Sequence, residues 1–284
     1  MIERREGLLA WGEALGSLTD PMLLGAIDVV TVEGPEASSF LQGQLAQDVE
    51  TLAPGASRWS LLLEPDGMLG HLVRVVRESD EHVALVGARG DGDAIAARLA
   101  RFKLRVQAAI EVVDRLLVIG PPPEGSLELV STARSPRQSL AARSERELEG
   151  ATDQVAMLEA WTLVTSELSS ADVREGMNPF ELGADVVDGA VSQTKGCYTG
   201  QELVARVMAR AGSAPQRLCL IEAVGQLDGS TVSMDGVDVG DIVRGVFDPQ
   251  VDRSWAVARV ARKAVPSGEA VCRVGGLDGV LRSL

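Results

Sequence analysis

The sequence predicts an α+β protein that ends in a small β-barrel. Residues 57–86 read as an antiparallel meander of three strands, with a Pro-Asp-Gly turn between the first two. Amphipathic helical patterns precede and follow this meander, which implies a sheet covered on one face by helices. Beyond Gly212 the chain changes to short alternating runs, and Asp235-Gly236 is a strong hairpin signal, so a small barrel is predicted there.

Proline, glycine and apolar spacing define the first elements. Residues 26–32 form a predicted strand that stops at a Gly-Pro pair, and a helix across residues 37–49 follows because proline suits a first helical turn. Gly43 inside that helix costs about 1 kcal/mol relative to alanine. Two interpretations stay open: another element packs closely there, or a ligand approaches the backbone between Gln42 and Gln44, whose amides can donate and accept hydrogen bonds.

Further along, the pattern alternates between helix and strand. Asp91 or Asp93 is predicted to cap a helix that turns Ile95 and Leu99 inward. The arginine-rich segment 131–150 reads as a solvated connection with a helix from about residue 144, because acids interleave its arginines. The remaining predicted elements are strands at 105–111 and 116–119, a helix or helix and strand at 156–168, a loop at 178–183, and barrel strands at 217–224, 231–234, 237–246, 255–261 and 270–274.

The charge balance and the absence of long apolar runs exclude several classes of protein. Acids outnumber basic residues by 41 to 27, and the formal charge of -14 repels nucleic acid. A local basic pocket could still bind an anion, since charges beyond about 10 Å are screened. No apolar run approaches the roughly 20 residues of a membrane span, so no membrane association is expected. The acidic first residues do not resemble a signal peptide, and we expect a cytoplasmic monomer.

The three cysteines and two histidines offer little material for metal binding. Cys197, Cys219 and Cys272 are far apart and form no C-x-x-C pair, so neither a disulfide framework nor a zinc site is indicated. Cys219 and Cys272 lie in strand-like runs and are interpreted as packing residues. No metal site is predicted.

The most distinctive stretch runs from Lys195 to Glu202 and reads K-G-C-Y-T-G-Q-E. Thr199 and Glu202 have the spacing of a capping box, which predicts a helix start. Cys197 precedes the predicted cap, where free backbone N–H groups and the nearby lysine charge would favour thiolate over thiol. The alternative is an ordinary glycine-rich turn with a cysteine that only packs.

Together with the Ala205-Arg206 that follows, this stretch resembles the K-G-C-Y-x-G-Q-E-x-x-A-R signature of the YgfZ family, the folate-binding relatives of the glycine-cleavage aminomethyltransferase GcvT. Residues 32–44 resemble the family's V-x-G-x-D-A-x-x-F-L-Q-G-Q, and residues 101–105 resemble its R-x-x-L-R segment. The resemblance covers most of the chain.

The resemblance implies two ferredoxin-like units and a C-terminal β-barrel around a central hole. The first unit would be discontinuous, formed by residues 1–50 and 112–210, with residues 51–111 inserted as the second unit and residues 213–284 as the barrel. It also implies binding of tetrahydrofolate or a derivative, and support for the assembly or repair of iron–sulfur enzymes through contacts with client or assembly proteins.

The resemblance and the helix N-terminus together place the candidate site at the motif. Cys197 is the candidate reactive residue. Where the aminomethyltransferase has a G-x-x-D-D pattern that supplies its catalytic aspartate, this chain has Gly67 to His71 without a carboxylate. An accessory factor without classical catalysis is therefore favoured, with a folate-dependent one-carbon transferase and a binding module with an inert cysteine as alternatives. The candidate folate-binding residues are Lys195, Gly196, Tyr198, Gln201, Glu202, Arg206, Gln42 and Gln44.

Overall fold

A computed structural model of the chain describes residues 7–130, 136–142, 154–209 and 214–284. The helices in these ranges are α1 (Gly7–Leu15), α2 (Ala37–Gln44), α3 (Gly92–Ala100), α4 (Val155–Val164), α5 (Ala184–Ala190) and α6 (Gln201–Ala209). The strands are β1 (Met22–Glu33), β2 (Ser57–Leu63), β3 (Leu69–Arg77), β4 (His82–Val86), β5 (Ala109–Ile119), β6 (Leu127–Leu129), β7 (Gln138–Ala141), β8 (Gln216–Val224), β9 (Thr231–Met234), β10 (Val237–Asp248), β11 (Arg253–Ala261), β12 (Glu269–Val274) and β13 (Leu277–Ser283).

The first seven strands form one continuous sheet in the order β2-β3-β4-β1-β5-β7-β6. β1 lies at its centre, so that Val30 pairs with Leu85 on one side and with Val112 on the other, both antiparallel. The predicted inserted unit, residues 51–111, therefore shares a sheet with the strands before and after it. A separate unit with its own sheet was expected, and the sheet corrects that expectation, because β1 pairs with β4 and with β5.

Helices cover both faces of this sheet, where the sequence predicted one covered face. Phe40 of α2 and Leu99 of α3 are buried on one face. Trp11 of α1 and Leu158 of α4 are buried on the other. α1 was not predicted, although its apolar residues recur at helical spacing.

Strand boundaries differ from the predictions mainly in the second half of the sheet. β5 is one long strand where two were predicted, because its polar first half continues the pairing with β1. β7 lies inside the segment interpreted as a solvated connection. The helix predicted from about residue 144 lies outside the described residues.

The C-terminal strands close into a barrel in the order β10-β11-β8-β13-β12-β9. The predicted hairpin is confirmed, since Asp235 and Gly236 both have positive φ, at 51° and 78°, as a type I′ turn requires. β13 was not predicted, and it closes the barrel between β12 and β8. Cys219 and Cys272 are buried in the barrel core, as the sequence predicted.

Charged barrel residues anchor the barrel to the rest of the chain. The Asp248 carboxylate accepts from two backbone N–H groups in the first turn of α1, at 2.7 and 3.2 Å. Arg259 forms a two-point ion pair with Glu181, at 2.5 and 2.7 Å. Arg244 donates to Asp172 at 2.8 Å. These contacts hold the barrel against α1 and against the segments that lead into the motif.

No helix in the described ranges combines the length and the apolar character that a membrane crossing requires. In the same part of the chain, no group of three or more His, Cys, Asp or Glu side chains is arranged to hold a metal ion.

Candidate functional site

Lys195 fixes the motif loop against the C-terminal end of α2. Its Nζ donates to the carbonyl oxygens of Gln42, Leu45 and Gln47, at 2.5, 2.7 and 3.0 Å. Carbonyls at a helix C-terminus lack partners within the helix and favour a cation. Burial lowers the pKa of Lys195 to about 8. The ammonium group therefore bonds to carbonyl oxygens at the end of α2. The sequence had instead predicted that its charge would favour the thiolate of Cys197.

Thr199 also bonds to α2, from the other side of the motif loop. Its backbone N–H donates to Gly43 O at 3.0 Å, and its hydroxyl donates to the same oxygen at 3.4 Å. Gly200 has a φ of +80°, so the helix begins at residue 201. The predicted capping box with Glu202 is wrong, because the Thr199 hydroxyl is oriented toward α2 and a left-handed residue separates it from the helix.

Tyr198 and Gln201 form an internal support for the loop. The Gln201 Oε1 atom accepts from the Tyr198 backbone N–H at 3.2 Å. The Tyr198 ring packs against the core cluster beneath the motif and lies 5.2 Å from Lys195 Nζ. Burial raises the pKa of Tyr198 to about 12, so its hydroxyl stays protonated near neutral pH.

The amides of Gln42 and Gln44 are also used inside the protein. The Gln42 side chain accepts from Val49 N at 2.8 Å and donates to Asp48 Oδ1 at 3.0 Å, which orders the turn after α2. The Gln44 Oε1 atom lies 3.4 Å from a donor of Arg98. Folate binding by these two residues stays a prediction, and a ligand would have to compete with these bonds.

The remaining motif residues form its free surface. Cys197 and Gly196 are exposed, and so are Glu202 and Arg206 on the first turns of α6. Within the described residues, the side chains of Cys197, Glu202 and Arg206 make no hydrogen bond or ion pair. The motif thus divides into residues that dock the loop and residues that present the thiol and two opposite charges to solvent.

Two glycines at this interface give a direct test of the docking. A Cβ at Gly200 would lie 2.5 Å from Glu64 O, whereas one at Gly43 would meet nothing within 4 Å. The close-packing interpretation of Gly43 is therefore wrong, which leaves the approach of a ligand as the interpretation to test. Gly200→Ala is expected to destabilise the protein by about 1–3 kcal/mol, because its φ is also left-handed.

Gly43→Ala is the matched control, and it should be neutral or up to about 1 kcal/mol more stable. Urea unfolding of both variants checks the pair. Equal losses of stability would contradict the docking described here.

Two adjoining cavities lie on the sheet face opposite α2 and α3, away from the predicted motif site. Trp59, Glu167 and Leu168 line both of them. Their volumes are about 70 Å³ and about 480 Å³. The smaller cavity is also lined by Arg74, Gln138, Glu159, Thr162, Ser169 and Ser170, and the larger by Leu72, Leu182, Asp185, Val186, Gly189 and Leu284.

Glu167 is the acidic residue that both cavities share, and its side chain is buried. It follows Ser166, a non-glycine residue with a φ of +60°, and its N–H bonds to Thr162 O at 2.8 Å just beyond the end of α4. A buried carboxylate can accept two N–H donors of a ligand, and Trp59 can stack on a flat ring. Sequence reasoning missed both residues, because Glu167 lies among serine and threonine residues and no local pattern distinguishes it.

Gln47 joins the motif loop to the larger cavity. Its side-chain nitrogen donates to Gly189 O at 3.1 Å and lies 3.5 Å from Trp59 O, and both of those residues line the cavity. Its own carbonyl accepts from Lys195. A change in the motif loop can thus reach the cavity wall through two hydrogen bonds.

His71, the last residue of the segment from Gly67 to His71, faces away from the cavities. Its Nδ1 atom lies 3.0 Å from Asp91 Oδ2, at the start of α3. Arg74, three residues along the same strand, lines the smaller cavity on the opposite face, as the alternation of a strand requires.

No protein-family model matches the chain. It is 26% identical over 228 residues to the tRNA-modifying protein YgfZ of Pectobacterium carotovorum, covering 68% of each chain. It is 24% identical over 307 residues to the mitochondrial iron-sulfur cluster assembly factor IBA57 homolog of Chaetomium globosum, covering 89% of this chain and 69% of that protein. The chain spans about two thirds of the length of these curated relatives.

Among solved structures, the chain is similar to the glycine cleavage system aminomethyltransferase T from Bartonella henselae. The TM-score is 0.69 at 18% identity, over 92% of this chain and 85% of the enzyme. This likeness establishes the fold. The α+β fold with its C-terminal barrel, predicted from the sequence, is confirmed, and so is the resemblance to YgfZ proteins.

Proposed function

We propose that this chain, a relative of the YgfZ proteins with the fold of the aminomethyltransferase, is a folate-binding accessory protein that supports the assembly or repair of iron–sulfur cluster enzymes. One of its relatives is named an iron-sulfur cluster assembly factor. The observation that carries the folate assignment is the pair of adjoining cavities that share Trp59 and Glu167.

The cavities suit the chemistry of a reduced folate. The ligand has a flat pterin with N–H donors, an apolar middle and an anionic glutamate end. A volume of about 480 Å³ lies within the usual range for small-molecule pockets, and Leu72, Leu182 and Val186 supply apolar walls. The Glu167 carboxylate would accept from the pterin ring N–H and amino group, and Trp59 would pack on the ligand face.

In this proposal the motif acts at a distance from the folate. Cys197 is the reactive thiol, presented to solvent with Gly196, Glu202 and Arg206 at its sides. The residues that dock the loop, Lys195, Tyr198, Gln201, Gln42 and Gln44, act on the ligand site indirectly, through the wall that Gln47 connects to the cavity.

The partner of the exposed thiol is proposed to be a protein. The YgfZ relatives are described as tRNA-modifying, yet a formal charge of -14 repels RNA at long range. We therefore place the chain with client or assembly proteins in the cytoplasm.

A folate-dependent one-carbon transferase is the alternative, and the position of His71 disfavours it. Such an enzyme needs a positioned group for proton transfer at the folate. His71 lies on the far face of the sheet, so that the cavity acids Glu159 and Glu167 would have to serve. Transfer of a one-carbon unit from a small amine to tetrahydrofolate, followed by product analysis, distinguishes the two functions.

Folate binding is expected to depend on Glu167. Titration calorimetry with 5-formyltetrahydrofolate should show saturable binding, and Glu167→Gln should weaken it by about tenfold or more, because hydrogen bonds to a charged acceptor are worth about 1.5–3 kcal/mol. Glu175→Gln, a change of the same kind at an exposed acid, is the control and should bind like the wild type. Unchanged binding in the Glu167 variant would place the ligand elsewhere.

A further inference from the structure

Arg74 lines the smaller cavity with part of its guanidinium group unused. Its Nη1 atom donates to Gln138 Oε1 at 2.5 Å, and its Cζ atom lies 5.3 Å from the centre of the Trp59 ring. Its Nε atom is buried and has no hydrogen-bond partner in the described part of the chain. Glu159 and Glu167 line the same cavity, and no ion pair of Arg74 with an acid occurs among the described residues.

Two other inward-facing arginines of this chain are paired with acids, whereas Arg217, like Arg74, has a buried Nε atom without a hydrogen-bond partner in the described part of the chain. Arg98 lies 2.9 Å from Glu64, and Arg244 lies 2.8 Å from Asp172. A cation removed from water without an anion is costly. Burial accordingly lowers the pKa of Arg74 to about 10. Arg74 differs from Arg217 in that it lines the smaller cavity, where a ligand could supply the missing anion.

The unused edge of the guanidinium group has a specific chemistry. With Nη1 held by Gln138, the Nε–H and Nη2–H bonds are left as two parallel donors. This edge matches the two oxygens of a carboxylate, and such pairs are among the strongest hydrogen bonds in proteins. A cavity of about 70 Å³ admits a carboxylate group with few further atoms.

We propose that Arg74 is the binding site for a ligand carboxylate at the end of the smaller cavity, gripped through Nε and Nη2. Two sources share this chemistry: the glutamate end of the folate, or a small free carboxylate of the size of formate that binds beside the folate. The first source rests on the proposed folate-binding function, whereas the second does not.

Gln138→Glu is the decisive variant, because it keeps the shape of the side chain and places a carboxylate against Nη1. It should raise the melting temperature, since it pairs a buried cation, and it should remove carboxylate binding. Arg74→Gln removes the donor itself, and Arg137→Gln, at an exposed arginine, is its control.

Calorimetry compares 5-formyltetrahydrofolate with the primary amide of 5-formyltetrahydropteroate, which has neither the glutamate nor any other carboxylate, and thermal unfolding is followed in sodium formate and in sodium chloride at equal ionic strength. If the folate supplies the carboxylate, the wild type binds the first ligand about tenfold or more tightly, and Gln138→Glu erases the difference. If the carboxylate is free, the wild type binds both ligands equally, and formate raises its melting temperature but not that of Gln138→Glu.

The assignment of Arg74 would be overturned if the wild type bound both folate ligands with equal affinity and formate left its melting temperature unchanged. So would a formate effect that persists in both Gln138→Glu and Arg74→Gln. If neither folate binds at all, the proposed function fails by itself, and the formate measurement still decides whether Arg74 is a carboxylate site.

Discussion

Replacing Cys197 by serine is expected to abolish rescue of iron–sulfur enzyme activity in cells that lack this protein, while leaving its fold intact. The side chain is exposed and makes no hydrogen bond in the described part of the chain. Surface substitutions of this kind change the free energy of unfolding by about 0.5 kcal/mol or less. A loss of rescue at equal protein levels would therefore come from the missing thiol.

Cys219→Ser is the control for this experiment. Cys219 is buried in the barrel, so that a hydroxyl there would lose its hydration and cost about 1–3 kcal/mol. Its effect on rescue should follow protein abundance, whereas that of Cys197→Ser should not. Full rescue by Cys197→Ser would assign the cysteine to packing, and folate binding would then be the function to pursue.

Alkylation of the native protein compares the reactivity of the three thiols and needs no experiment in cells. Burial raises the pKa of Cys219 and of Cys272 to about 11, and both side chains are inaccessible. Iodoacetamide at neutral pH should label Cys197 first, as peptide mapping would show. Labelling of the barrel cysteines at the same rate would mean that the barrel opens.

The sequence predicted the elements whose signals are local. β9 has the predicted bounds, β2 and β4 begin and end where the predicted meander begins and ends, and the turn between β9 and β10 follows from its Asp-Gly pair. Alternation and turn residues act over a few positions, so they can be interpreted without knowledge of the rest of the chain.

The predicted capping box failed for a non-local reason. The Thr199 hydroxyl bonds to Gly43, which is 156 positions away, and the Lys195 ammonium bonds to Gln42, which is 153 positions away. Each group satisfies a backbone carbonyl near the end of another helix. A local motif shows which residues can form hydrogen bonds, and the tertiary fold determines their partners.

The cavity residues carried no recognisable pattern in the sequence. Trp59 and Arg74 are opposite each other on the paired strands β2 and β3, and Glu167 comes to them from the distant segment after α4. Strand alternation could have placed Trp59 and Arg74 on one face, given the register that pairs them. That register was not available before the structure.

Removing the Asp172 carboxylate is expected to cause the largest loss of stability. The side chain is fully buried, accepts from Ser169 N at 2.8 Å and pairs with Arg244 of the barrel. Asp172→Ala leaves the arginine without its anion and should cost about 3–5 kcal/mol. Denaturant unfolding would measure this loss.

Asp172→Asn should be milder than Asp172→Ala, because the amide keeps the shape of the side chain and one oxygen that can still accept a hydrogen bond, although the anion is lost in both variants. Burial raises the pKa of Asp172 above its ordinary value of 3.8, although the Arg244 charge acts in the opposite direction. The folded protein therefore holds this proton more tightly than the unfolded chain. Its titration makes the free energy of unfolding fall as pH rises above about 4, and the asparagine variant should lack that component.

The double variant Asp172→Ala/Arg244→Met separates the contribution of the ion pair from that of the other hydrogen bonds of Arg244. The Arg244 guanidinium also donates to Glu159 O at 2.6 Å and to the Thr162 hydroxyl at 3.1 Å, so methionine gives up two bonds while it removes the unpaired cation. If the missing anion dominates, the double variant should be more stable than Asp172→Ala alone. If instead it is less stable by the full cost of Arg244→Met, the two residues contribute independently, and the barrel is anchored by those bonds to α4 rather than by the ion pair.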